Sequence, residues 1–166
     1  MNLTRILFLL VWASALSAAE RPNVILMMAD DLGYETLSAN GGAPYQTPHL
    51  DKLAANGLRF TNCVAQPVCT PTRVKIMTGR YNFRNYKTFG ILDPREKTFG
   101  HVMRDAGYKT CIVGKWQLGR DRKLPGHFGF DEYCLWWLEN KSTRYGNVGE
   151  LIRNGKVLPG DKGEYG

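Results

Sequence analysis

Three short stretches of the chain carry residues whose type and spacing could do chemistry. The first is Asp30–Asp31, adjacent acids that close the apolar run "NVILMMADDLG". Two ionised carboxylates at the end of such a run are costly unless paired or bound to metal, and an oxygen-only donor set suits a hard cation such as calcium or magnesium. Neighbouring side chains in a regular strand point to opposite faces, so both acids reach one ion only if the backbone turns there, a turn that Gly33 permits. Two carboxylates are too few for calcium, so further ligands must come from elsewhere. The alternative is that one acid caps a turn and the other is solvated.

The second stretch is "CTPTR", Cys69 to Arg73. A cysteine at a helix start, with an arginine about one turn later, lies beside backbone amides and a guanidinium. That is a setting for a nucleophile acting on an oxyanion ester; a structural disulfide is the competing reading. The third is Lys115 in "KTCIVGKWQLG", beyond the last apolar residue of its run. It is suited to stabilising charge on a bound oxyanion, or else it is an ordinary exposed strand-end lysine.

The elements that must position these residues are readable. The run from Asn23 to Gly33 predicts a parallel strand buried on both faces. Thr47 and Pro48 start a helix with Leu50, Leu53 and Ala54 on one face and Gly57 as its stop. "LRFTNCVA", from Leu58, is a second strand candidate. Thr70 and Pro71 repeat the cap-then-proline signature, predicting a helix from Pro71 to about Thr78 with Cys69 just before it. Thr98 caps a third helix bearing Phe99, Val102, Met103 and Ala106, ended by Gly107, and Tyr108–Gly119 is a strand delivering Lys115. This order predicts an α/β fold, a mostly parallel sheet flanked by helices. In such sheets ligand groups gather beyond the carboxyl ends of the strands, where Asp30, Asp31, Cys69 and Lys115 all fall.

"MNLTRILFLLVWASALSAAE" reads as an export signal spanning residues 1–19. Arg5 supplies the basic start, Ile6–Trp12 an apolar core too short to cross a bilayer, and Ser17 and Ala19 the small residues of a cleavage site. The expectation is an exported protein without a stable membrane anchor, residues 20–166 forming one domain of 147 residues. Loss of Arg5 takes the formal charge from +7 to +6, which favours anionic ligands. "GRYNFRNYKTFG" interleaves aromatics with Arg80, Arg84 and Lys87 as a single-strand binder does, and a solvated basic loop produces the same string; export argues against nucleic acid. Of the four cysteines, Cys63 and Cys111 sit in strand-like apolar runs and read as small buried hydrophobes. His49, His101 and His127 are scattered and predict no zinc cluster. Asn140 and Ser142 form a glycosylation sequon, and no glycine-rich phosphate loop is present.

Together, "RPNVILMMADDLGY", "TPHLDKLAANGLRFTNCV", "CTPTRVKIMTGR", "MRDAGYKTCIVGKWQLG" and "GHFGFDEY" resemble the sulfatase family of the alkaline-phosphatase-like superfamily. The cysteine-x-proline-x-arginine pattern followed by "TGR" is highly specific when it stands between "ADDLG" and "GKW". The resemblance implies that Cys69 is oxidised to formylglycine by a formylglycine-generating enzyme that reads the unfolded chain. One hydroxyl of the hydrated aldehyde then attacks the sulfur of a sulfate ester, and the other, losing its proton, expels sulfate. It implies further that Asp30, Asp31 and residue 69 are ligands of a calcium ion. Arg73 resembles the arginine that orients the nucleophile, and Lys115 the lysine that contacts nucleophile and sulfate.

Two departures accompany the likeness. Gln117 stands where the family usually has a histidine, and an amide cannot take up a proton near neutral pH. The family's later Asp-Asn pair, a further histidine and a further lysine fall beyond Gly166, so the chain resembles the N-terminal part of a sulfatase catalytic domain, an incomplete sheet with little expected turnover of its own. The expected substrate is a sulfate ester, aryl or carbohydrate. A phosphate or phosphonate ester hydrolase of the same superfamily and a non-catalytic relative are the alternatives.

Overall fold

The computed structural model describes residues 21–42, 44–136, 138 and 150–159. The expected export signal and the sequon at Asn140 lie outside them. The chain divides after Leu58 into two compact units, each of which has its own internal logic.

In the first unit the run from Asn23 forms no strand among the described residues, and Val24, Ile25, Leu26 and Met27 are exposed. The expected buried strand is therefore absent here. An apolar run states that burial is favourable, but strand structure is made by a ladder of neighbours that no single run contains. Two short 3₁₀ turns follow, Tyr34–Thr36 and Ser38–Asn40, and then helix α1, Pro48–Asn56. Thr47 precedes α1 as expected, but its hydroxyl does not cap the helix amides. It belongs instead to a cluster around Asp51, whose carboxylate accepts from the Ser38 hydroxyl (2.6 Å), the Ala39 amide (2.8 Å) and Thr47 (3.2 Å). The Ser38 hydrogen bond, assisted by those from Thr47 and Ala39, holds the Asp51 carboxyl below its usual range against a burial effect of opposite sign.

Among its described residues the second unit contains four further helices: α2 (Cys69–Thr78), α3 (Asn82–Asn85), α4 (Phe99–Asp105) and α5 (Leu124–His127). Its sheet has the order β1 (Cys111–Lys115), β2 (Glu132–Trp136), β3 (Glu150–Arg153) and β4 (Lys156–Pro159). The pair β1/β2 is parallel, with Lys115 opposite Trp136, while β2/β3 and β3/β4 are antiparallel. Among the described residues the sheet is thus mixed. The second predicted strand, Leu58–Ala65, does not form, and Cys63 is exposed. Cys111 is also exposed, because it shares the open face of β1 with Val113 (70% exposed). Burial pushes the Cys111 thiol up, and the neighbouring Glu132 charge adds to this. Both cysteines thus depart from the expected buried role. No disulfide joins the four.

The core lies between α2, α4, the end of β1 and β2. Val74 and Met77 of α2 meet Trp116, Leu118, Phe128, Phe130, Tyr133 and Leu135, all buried. The α4 start packs closely enough to require glycine on both sides. A Cβ on Gly100 would come 2.5 Å from the Phe128 carbonyl oxygen, and one on Gly129, which has φ +96°, would collide with the Gly100 backbone.

Thr98 caps α4 as expected, in a reciprocal box with His101. The Thr98 backbone amide donates to His101 Nδ1 at 3.1 Å, and the buried Thr98 hydroxyl donates to the Phe128 carbonyl at 2.5 Å. An accepting Nδ1 must be unprotonated. Burial lowers the His101 pKa, with Arg104 and His127 adding to the effect and the His127 backbone and Asp105 opposing it. A lowered folded-state value means the unfolded chain binds the extra proton first. This stabilisation is therefore complete above the unfolded value, about 6.5, and is lost as pH falls from there through the folded one. Urea midpoints taken between pH 7.5 and 5 should fall in the parent and fall less in His101→Gln, whose amide keeps an acceptor for the box; equal slopes would remove His101 as the cause.

Candidate active site

Helix α2 begins two residues earlier than its threonine-proline signature suggests. Val68, in extended conformation, occupies the cap position, so Cys69 is the first helical residue. Pro71 then falls third in the helix, where a missing N–H breaks no intrahelical bond. Thr72 fastens the entering loop: its hydroxyl accepts from the Gln66 amide (3.0 Å) and lies 3.1 Å from the Val68 carbonyl. Thr70, expected as a cap, is fully buried and uses its hydroxyl to accept the Gly90 amide at 3.0 Å. Cys69 itself is half-buried.

One turn on, Arg73 reaches across to the sheet, where its Nη1 donates to the Lys115 carbonyl at 2.6 Å. The start of α2 is thereby joined to the carboxyl end of β1. Lys115 places its ammonium 5.9 Å from the centre of the Trp136 ring on β2, a cation–π distance. Beyond it the chain bends sharply. Trp116 is fully buried and its amide still bonds the Trp136 carbonyl (3.0 Å), whereas Gln117 adopts a left-handed φ of 52°. The Leu118 carbonyl accepts from Leu92 at 3.2 Å. The loop carrying Gly90 and Leu92 thus bonds both the first turn of α2 and the residue after Gln117.

Gln117 is 3% exposed, and neither its Oε1 nor its Nε2 has a hydrogen-bond partner among the described residues. A buried amide left with both atoms unmet costs about 1–3 kcal/mol per group, and the left-handed backbone adds strain to it. In the second unit Cys69 and Arg73 thus lie in the first half of α2, Lys115 ends β1 and Gln117 follows two residues later.

Asp30 and Asp31 belong to the first unit. The turn that lets adjacent carboxylates share one side is made at Asp31 itself, with φ 56°, and not at Gly33, whose φ is −73°. Asp30 is half-buried and Asp31 exposed. Among the described residues no group of three or more histidine, cysteine, aspartate or glutamate side chains is assembled for a metal.

Sequence reasoning treated the histidines as scattered, but His101 and His127 meet edge to face, with ring centres 6.2 Å apart, and His127 Nε2 lies 2.6 Å from the Pro94 carbonyl. No spacing rule joins residues this far apart on two different helices. The one available signal was His101 three residues after Thr98, the interval of a capping box.

A family model described as Sulfatase matches residues 22–160. The chain is 38% identical over 154 residues to human steryl-sulfatase, covering 80% of this chain and 26% of that protein. It is 42% identical over 136 residues to bovine arylsulfatase A, covering 75% and 27%. It spans about a quarter of the length of these curated relatives. Among solved structures, a protein in complex with its substrate D-glucosamine-2-N,6-O-disulfate is 32% identical, with TM-score 0.74, over 86% of this chain and 28% of that one. Ps i-CgsB in complex with k-i-k-neocarrahexaose is 28% identical, with TM-score 0.76, over 87% and 38%. The matched family model, the arginine-bearing helix bound to the end of β1 and the fold shared with these structures agree: the chain belongs to the sulfatase family, with the alkaline-phosphatase-like α/β fold.

Proposed function

We propose that this chain is the nucleophile-bearing part of an exported sulfuric ester hydrolase acting on sulfated carbohydrate, with residues 1–19 as its export signal and 20–166 as part of the catalytic domain. The observation that carries the reading is the Arg73–Lys115 link at 2.6 Å, which holds the Cys69 end of α2 against the lysine-bearing end of β1 within a chain of the sulfatase family. Carbohydrate is preferred over an aryl group because solved relatives hold a disulfated glucosamine and a neocarrahexaose.

In this reading Cys69 is converted to formylglycine by a formylglycine-generating enzyme, and position 69 presents a hydroxyl nucleophile to sulfur. Arg73 orients that residue through the same helix turn, and Lys115 stabilises charge on the sulfate oxygens. Asp30 and Asp31 fit part of a calcium shell: both donors are oxygen, and the left-handed Asp31 removes the alternation that would send them to opposite sides. Bound there, the ion would polarise a sulfate oxygen as a Lewis acid. Gln117 offers a fixed N–H donor and a carbonyl acceptor to the anion without changing charge. A second reading, a non-catalytic relative that binds anions, is favoured by this same residue, because an amide can move no proton.

Peptide mass measurement of the protein purified from its native host separates the two. A Cys69 peptide lighter by about 18 Da, the difference between thiol and aldehyde, supports the hydrolase; an unmodified thiol supports the anion binder.

For Gln117 the expected result is sulfate binding that stays flat between pH 6 and 8. Gln117→His should introduce an inflection near about 6.5, with tighter binding on the acid side. Gln117→Leu should weaken sulfate binding while raising the melting temperature, because an unmet buried amide is removed. Calorimetric titration and thermal melts check both, and a Leu variant that binds sulfate like the parent would show that the amide only packs.

A further inference from the structure

The short helix α3 has its polarity inverted. Its asparagines face inward: Asn85 is 4% exposed and donates to the Thr78 hydroxyl at 2.9 Å, and Asn82 donates to the Pro71 carbonyl at 2.9 Å. The aromatics beside them face out, Tyr81 being 64% and Phe83 81% exposed. An isolated exposed apolar residue needs no explanation, but here two rings lie nearly parallel, with an interplanar angle of 15° and centres 6.0 Å apart. Each ring also has a cation above it, Lys75 Nζ at 5.3 Å from Tyr81 and Arg84 Cζ at 5.3 Å from Phe83. Arg80, in the same stretch, is already paired with Glu96 at 2.8 Å.

We propose that Tyr81 and Phe83, with Lys75 and Arg84, form a platform that seats a sulfated sugar chain apart from the reacting end of α2. The inference rests on the carbohydrate reading above. Aromatic faces are negative at their centres and take up the C–H faces of pyranose rings, while ammonium and guanidinium groups meet sulfate oxygens through charge-assisted hydrogen bonds. The platform is rigid before binding, because Asn82 and Asn85 anchor it to the third and the last residue of α2. Those two residues are about 10 Å apart at 1.5 Å rise per residue. Two ring faces with centres 6.0 Å apart and flanking cations suit a sulfated oligosaccharide better than a small aryl ester.

The test uses the full chain as exported and reads calorimetric affinity for three probes: a heparin hexasaccharide, its desulfated counterpart and a single-stranded hexanucleotide. The parent should prefer the sulfated sugar to both others. Tyr81→Ala/Phe83→Ala should lose about tenfold or more of that affinity, in keeping with the loss of a stacked ring. Arg84→Gln should narrow the gap between sulfated and desulfated sugar, and Phe83→Trp should retain binding. Melting temperatures should match the parent, since the exchanged rings are exposed. Unchanged sugar affinity in the double variant, equal affinity for the desulfated sugar, or tighter binding of the nucleotide would overturn the platform. The mass of the Cys69 peptide, read in parallel, reports on the proposed function alone and should be the same in parent and variants.

Discussion

The second unit depends on where one guanidinium goes. Arg73 projects from α2 toward the sheet, and the carbonyl it meets is that of Lys115, the last residue of β1. A planar cation that bonds a strand-end carbonyl fixes both the rotation of the helix about its axis and the point at which the strand stops running straight. Val74 and Met77, next on the helix, are then committed to the core, where they meet Trp116 and Leu118 from the far side of the same strand end. Cys69 is carried to its place by this packing, four residues back along the helix.

The buried polar side chains of the fold are not all satisfied alike. Thr70 and Thr98 are buried and each has a clear structural partner, the Gly90 amide and the Phe128 carbonyl. Gln117 is also buried but has none among the described residues, and its backbone is held left-handed as well. Threonine hydroxyls are cheap to satisfy because they rotate and can both give and take. An amide that is buried, strained and unmet persists only where the surroundings fix it, and such residues concentrate at ligand sites.

The same comparison applies to the surface. Exposed aromatics at 81 and 83 beside inward-bonded asparagines at 82 and 85 reverse the usual partition, and the two halves of that reversal support each other: the asparagines hold the helix, and the rings are left presented. The glycine pair at 100 and 129 shows the opposite economy, since two backbones approach so closely that no side chain fits. One region spends side chains on display and the other does without them.

Much of this was legible in the residues. The start of α1, the threonine cap of α4, the strand carrying Lys115 and the helix following Cys69 are local, because caps, prolines and periodic apolar positions act over one or two turns. The placement of Cys69 at a helix start and of Lys115 at a strand end was legible for the same reason. The run from Asn23 and the stretch from Leu58 were misread as strands because apolar content asks for burial without supplying a ladder partner. Cys63 proved exposed because its stretch forms no strand, and Cys111 because alternation alone does not say which face is covered. The sequence by itself determined which residues could do the chemistry and which elements carry most of them, since side-chain type, capping and turn preference are properties of neighbours in the chain. Only the tertiary structure decided that Arg73 bonds the Lys115 carbonyl, that Gln117 is buried without a partner and that His101 meets His127, because each depends on groups that long-range packing brings together.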